Sequence, residues 1–224
     1  MLDTRNAAPQ GSWVELAQAR FEDMNDALVL RTRSLLNRLI GDDALHPRFI
    51  NTLSMLEHMG SHKIMATQHR DTIDQATLRH LAEECHHAFF MKRQAEKVAG
   101  RALEYVPRDL LAPVAARMYF QRLEASTVRR LERDHSVGAA YLYMSMIVEF
   151  RAVWFYSLYQ QALRRHQHPL SLKRLLGEEQ NHLTDMADRL EHAGELSDAR
   201  VDAFARTERE LYGRLLGSLQ QSVN

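Results

Sequence analysis

The sequence predicts an all-α chain of about seven helices. Three observations carry that expectation. Apolar residues recur at helical intervals, no segment alternates with period two for long enough to make a strand, and Pro (5) and Gly (9) are sparse. With 224 residues, 45% of them hydrophobic, the chain can bury a substantial core, and one all-helical domain over residues 1–224 is expected.

Residues 1–12 hold no basic segment followed by an apolar run, so no signal peptide is expected and the stretch reads as a flexible tail. Ser12 with Glu15 makes a capping-box pattern, and Leu16, Phe21, Met24, Leu28, Leu35 and Leu39 carry a first helix to about Ile40. Gly41-Asp42-Asp43 ends it. Pro47 suits the first turn of a second helix that runs to about Thr67. Asp71 or Thr72 can cap a third, reaching about Leu103. Pro107 opens a fourth to about Asp134, and Ser136-Val137-Gly138 separates it from a very apolar fifth between Ala139 and Leu163. Pro169 starts a sixth that stops near Gly194. Ser197 caps a seventh, from Asp198 to about Leu219.

Charge excludes several partners. Lys plus Arg equals Asp plus Glu at 29 each, so no global field draws in nucleic acid or an anionic membrane. Glu149 and Arg151 in the middle of the most apolar helix argue against a membrane span and for burial in protein. The single cysteine, Cys85, excludes an intramolecular disulfide and any cysteine-based zinc or rubredoxin-type site, and is expected to be a small buried residue. A reducing, cytoplasmic setting is expected.

The chemistry lies in a repeated motif. Glu83-Glu84-Cys85-His86-His87 and Glu178-Glu179-Gln180-Asn181-His182 share the pattern Glu-Glu-x-x-His, related by a shift of 95 residues. Residues at i and i+3 share a helix face, so each turn offers a carboxylate and an imidazole to one ion. Chance placement of 16 Glu and 12 His gives about one Glu-x-x-His, whereas the sequence has four. Glu84 shares its face with Thr77, Leu81, Ala88 and Met91, and Glu179 with Leu172, Leu175, Leu176, Leu183 and Met186, so Glu84/His87 and Glu179/His182 are the inward pairs. Glu83 and Glu178 fall on more polar faces. Glu132/His135 shares its face with Arg129 at a helix end and reads as surface.

Each half also carries an acid in apolar surroundings on the preceding helix: Glu57, 27 residues before Glu84, and Glu149, 30 before Glu179. Such spacings suit antiparallel helices joined by a short loop, with the acids at equal depth. An ionised Glu149 needs a partner, either a metal or a buried arginine such as Arg151. His80, one turn before Glu84, reads as ordinary core or as an added donor. Asp185, three after His182, reads as solvated or as that imidazole's support. Gly60 and Ser61 leave room beside Glu57.

In chain order these residues resemble the ferritin-like di-iron carboxylate superfamily. Its four-helix core supplies one Glu from each of two helices and a Glu-x-x-His from each of the other two. The resemblance covers roughly residues 47–194 and implies bundle halves at 47–104 and 137–194, with extra N-terminal, linking and C-terminal helices. It implies Glu57, Glu84, His87, Glu149, Glu179 and His182 as ligands of two iron ions, with manganese or a mixed pair as variants. Dioxygen, a small organic substrate and a separate reductase or reductant are the implied partners of a non-haem di-iron oxidase or oxygenase. Two other readings stay open: a ferroxidase or peroxide-reducing iron-handling protein, and a metal-free helical interaction protein. Surplus helices around the bundle favour a walled substrate pocket. Amphipathic outer helices admit a homodimer.

Overall fold

In the computed structural model, residues 12–67 and 74–223 are described, and among them the chain forms seven α-helices and no strand. They are α1 (Trp13–Ile40), α2 (Leu45–Thr67), α3 (Gln75–Ala99), α4 (Pro113–Arg133), α5 (Ala140–Arg165), α6 (Lys173–His192) and α7 (Asp198–Ser222). The tail expected before Ser12 and the caps expected at Asp71 and Thr72 lie outside the described residues.

Local chemistry fixes the helix ends. The Ser12–Glu15 capping box forms, with the Ser12 N–H donating to Glu15 at 2.8 Å and the Glu15 N–H to the Ser12 hydroxyl at 3.3 Å. Asp74 caps α3 and Ser197 caps α7. The third helix stops at Ala99, short of Leu103, because Gly100 turns into the left-handed region at φ 65°. Beyond it, the Asn51 amide donates to the carbonyls of Glu104 and Asp109, each at 3.0 Å, and holds the chain as an ordered loop. Pro107 therefore opens only a 3₁₀ turn, Pro107–Asp109, and the fourth helix starts at Pro113. The sixth starts at Lys173 instead of Pro169. There the Leu172 N–H donates to the Gln160 side chain at 2.6 Å, which ties the approach to α5.

Helix directions follow from side-chain pairs. Ser54 donates to the Ala88 carbonyl and Lys92 to Asn51, so α2 and α3 are antiparallel. Tyr143 reaches the Glu195 carbonyl while Gln160 meets Leu172, so α5 and α6 are antiparallel too. His87 pairs with Glu178 and His182 with Glu83, which sets α3 against α6. Two short-looped antiparallel pairs thus run up-down-down-up, and the long connection between them carries α4. Tyr143, Phe150 and Tyr159 of α5 are fully buried, worth roughly 1.5–3 kcal/mol for each large apolar side chain.

The outer helices are tied to the bundle by a buried ion pair. Arg151 donates to both oxygens of Glu208, at 2.8 and 2.6 Å, and to the Asn25 side chain at 2.6 Å. Its guanidinium lies over the rings of Tyr212, Trp154 and Phe21, and Tyr119 donates to Glu208 at 2.8 Å. One cation therefore joins α1, α4, α5 and α7. Arg151 is committed to Glu208, which leaves Glu149 to find other partners. No described helix is long and apolar enough to cross a membrane.

Candidate metal centre

The structure gathers all six sequence-derived candidates, Glu57, Glu84, His87, Glu149, Glu179 and His182, at one depth between α2, α3, α5 and α6. They form two donor groups with His80 added: His80, Glu84, Glu149 and His182, and Glu57, Glu84, His87 and Glu179. Within each group the ligand atoms lie within 4.8 Å of one another, and Glu84 belongs to both. All are buried except Glu57, which is partly so. His80 reaches Glu149 at 3.2 Å and Glu84 at 3.6 Å, so it joins the cluster instead of serving as plain core.

Hydrogen bonds around the cluster orient its members crosswise. His87 presents Nδ1 to Glu84 at 3.5 Å and Glu179 at 3.4 Å, while its Nε2 meets Glu178 at 3.0 Å. His182 presents Nδ1 to Glu179 and Glu149, and its Nε2 meets Glu83 at 2.8 Å. A carboxylate accepting from Nε2–H fixes the tautomer that leaves Nδ1 free to bind. The first glutamate of each doublet therefore steadies the imidazole of the opposite motif. His80 is set in the same way, with Tyr141 on Nδ1 at 2.8 Å, and the Tyr156 hydroxyl donates to Glu57.

Taken as side chains alone, the cluster is held by protons. Burial works against charge throughout, but Glu149 and Glu84 together raise His80 to about 11, and Glu149 and Glu179 raise His182 to about 12. Against the same burial, Glu84 raises His87 to about 9. Burial beside Glu84 raises Glu57 to about 8, and burial beside Glu149 raises Glu179 well above the usual carboxylate range. Burial opposes charge on Glu84 and Glu149 too, but imidazoles close to each, His80 and His87 beside Glu84 and His182 and His80 beside Glu149, outweigh it and hold both below that range.

The donor set fits divalent metal. Two dications would replace the protons and balance the four carboxylates of the two groups, with three neutral imidazoles completing them. Glu84 Oε1 and His87 Nδ1 are buried without a hydrogen-bond partner, a costly state that an ion between the groups would relieve. No family model, curated protein or solved structure matches the chain.

Other residues fall elsewhere. Asp185 pairs with Arg79 at 3.7 Å and Arg189 at 3.6 Å, away from the His182 ring. Glu132 and His135 are exposed at the end of α4. Cys85, expected to be buried, is exposed, since it follows Glu84 by one residue and a helix step of about 100° turns it outward. Sequence reasoning set Glu83 and Glu178 aside as polar-face alternatives to Glu84 and Glu179. The doublet itself, present in both motifs, was the signal that both acids of each turn are used.

Beside the cluster lies a cavity of about 180 Å³ that reaches His80, Glu57, Glu84 and Glu149. Gly60 lines it, and a Cβ there would stand 3.5 Å from Glu84 Oε2, so the small residue keeps the approach to the carboxylates open.

Proposed function

We propose that the chain is a ferritin-like, non-haem di-iron oxidase or oxygenase that uses dioxygen to oxidise a small organic substrate. The observation that carries this reading is the pair of donor groups sharing Glu84, supplied by four helices and opening onto a cavity. In this reading one metal is held by Glu57, Glu84, His87 and Glu179, and the other by His80, Glu84, Glu149 and His182. Mixed carboxylate and imidazole donors suit iron or manganese. Bound as a pair, such ions bring dioxygen and electrons together, the electrons coming from a separate reductase. The protein's own part is positional. Glu83 and Glu178 hold protons on His182 and His87 at Nε2, and Tyr156 and Tyr141 steady Glu57 and His80.

The character of the cavity favours an organic substrate over iron itself. A hydrated ferrous ion entering for oxidation needs acidic groups along its path, and the rim acid Glu124 is already paired with Lys63. The test is metal content per chain after anaerobic Fe(II) reconstitution, comparing the native protein with Glu84→Ala and Glu179→Ala. About two irons, lost in the variants, support the proposal. A native protein that takes up no metal refutes it and favours the metal-free interaction protein.

A further inference from the structure

The cavity beside the cluster is walled by Leu53, Ile64, Ala116, Phe120, Val148 and Ala152, drawn from α2, α4 and α5. Polar side chains also reach it, but protein partners already engage most of them. Tyr119 donates to Glu208, Tyr212 pairs with Thr32 at 3.2 Å, and Arg151 gives Nε and Nη2 to Glu208 and Asn25, its charge balanced by Glu208, while its Nη1 is buried without a partner. Thr52 bonds the Arg48 carbonyl at 2.8 Å. At the rim, Lys63 and Glu124 form an ion pair that cancels its own field. Tyr141 and Tyr156 are used by His80 and Glu57. Among the described residues, Ser145, one turn before Glu149, is the lining hydroxyl left without a protein partner.

Such a wall can recognise little beyond shape. A charged occupant would surrender its hydration and meet no unbalanced counter-charge outside the carboxylate cluster, since Arg151 is paired with Glu208 and Lys63 with Glu124, whereas an apolar one gains the transfer free energy. Size narrows the class further. An apolar protein void of about 150 Å³ is known to take one benzene ring, and this cavity measures about 180 Å³. We propose that the cavity is a substrate chamber for an uncharged, largely apolar molecule of about one substituted benzene ring, with room for one hydroxyl-type group at Ser145. The proposal rests on reading the cluster as a metal centre, because that centre supplies the chemistry at the chamber's end.

The experiment is calorimetric titration of the full chain loaded with Mn(II), using toluene, benzenesulfonate and benzylammonium as probes of similar size and different charge. Toluene is expected to bind one per chain and both charged probes at least about tenfold more weakly. Ala152→Leu, which fills the lumen from α5, is expected to weaken toluene at least about tenfold and leave Mn(II) stoichiometry unchanged. Ala116→Leu makes the same test from α4 should the first variant not fold. Equal or tighter binding of a charged probe, toluene binding untouched by both fillings, or no toluene binding at all would each overturn the chamber. The metal arm separates the two readings. Mn(II) uptake without toluene binding defeats the chamber alone, while absence of metal uptake defeats the metal centre whatever toluene does.

Discussion

Glu178 and Glu83 give the sharpest test of the crosswise arrangement. Glu178 accepts from His87 at 3.0 Å and also from Arg174 at 2.8 Å, with its side chain 20% exposed; Glu83 accepts from His182 at 2.8 Å and is 32% exposed. Partial burial opposes charge on Glu178, but the Arg174 and His87 hydrogen bonds outweigh it and hold the carboxyl below its usual range. Removing such a support to a metal-binding histidine costs about 10–100-fold in affinity, roughly 1.4–2.7 kcal/mol. Water can replace the more exposed Glu83 more readily, so Glu83→Ala should sit near the lower figure and Glu178→Ala above it. The two losses should also fall on different metals. Glu178→Ala should weaken the group that contains His87, and Glu83→Ala the group that contains His182. Anaerobic Mn(II) titration against a competing chelator resolves the two steps. Glu178→Gln, which keeps an acceptor and loses the charge, should fall between native and Ala. Native isotherms in both variants, or loss of the same step in both, would refute the crosswise support.

Three further outcomes are expected. Arg151→Ala leaves Glu208 charged and buried, so chemical denaturation should show a loss of about 3–5 kcal/mol, and Arg151→Met with Glu208→Leu should recover most of it. His46 is depressed to about 4 by burial and by His168 and His166, and it shares a hydrogen bond with Tyr159 at 2.6 Å. Above pH 6.5 both folded and unfolded states are neutral there; below it the unfolded state protonates first, so stability drains by about 3 kcal/mol down to about pH 4. The difference in stability between native and His46→Gln, followed across that window, should flatten if another group is responsible. Metal binding must displace protons from His87, at about 9, and Glu57, at about 8, among others, so apparent Mn(II) affinity should rise more than about tenfold per pH unit from pH 6 to 8. An affinity independent of pH would mean that the ion binds elsewhere.

What the sequence made legible was what repeats. The helical spacing of Glu84 with His87 and of Glu179 with His182, and the apolar faces that carry them, place those four side chains without tertiary knowledge. Glu57 and Glu149 were legible because an acid on an apolar face has few other uses. Arg151 was visible as a buried charge, but its partner Glu208 lies 57 residues away on a helix whose docking no local pattern encodes. The loop from Gly100 to Ala112 shows the same limit. Leu103, Leu110 and Leu111 are buried with side chains and backbone held by α2, so apolar character there looked helical although the stabilising bonds come from Asn51 and Thr52. Glu83 and Glu178 failed a test of apolar faces because each looks across to the other motif, a relation that exists only once α3 and α6 are antiparallel.

The repeat is broken at one telling position. The shift of 95 residues that superposes the motifs carries His80 onto Leu175, which is buried in α6 and offers no donor. One donor group therefore has two imidazoles and two carboxylates, and the other one imidazole and three carboxylates. A carboxylate adds negative charge that an imidazole lacks, so the group with Glu57 favours the more highly charged ion of a pair. The cavity is unequal in the same sense, since Gly60 lies one turn after Glu57 and clears space beside Glu84. Two halves built on the same motif thus present unequal chemistry to the cavity, and much of the inequality resides in the side chains at positions 60, 80 and 175.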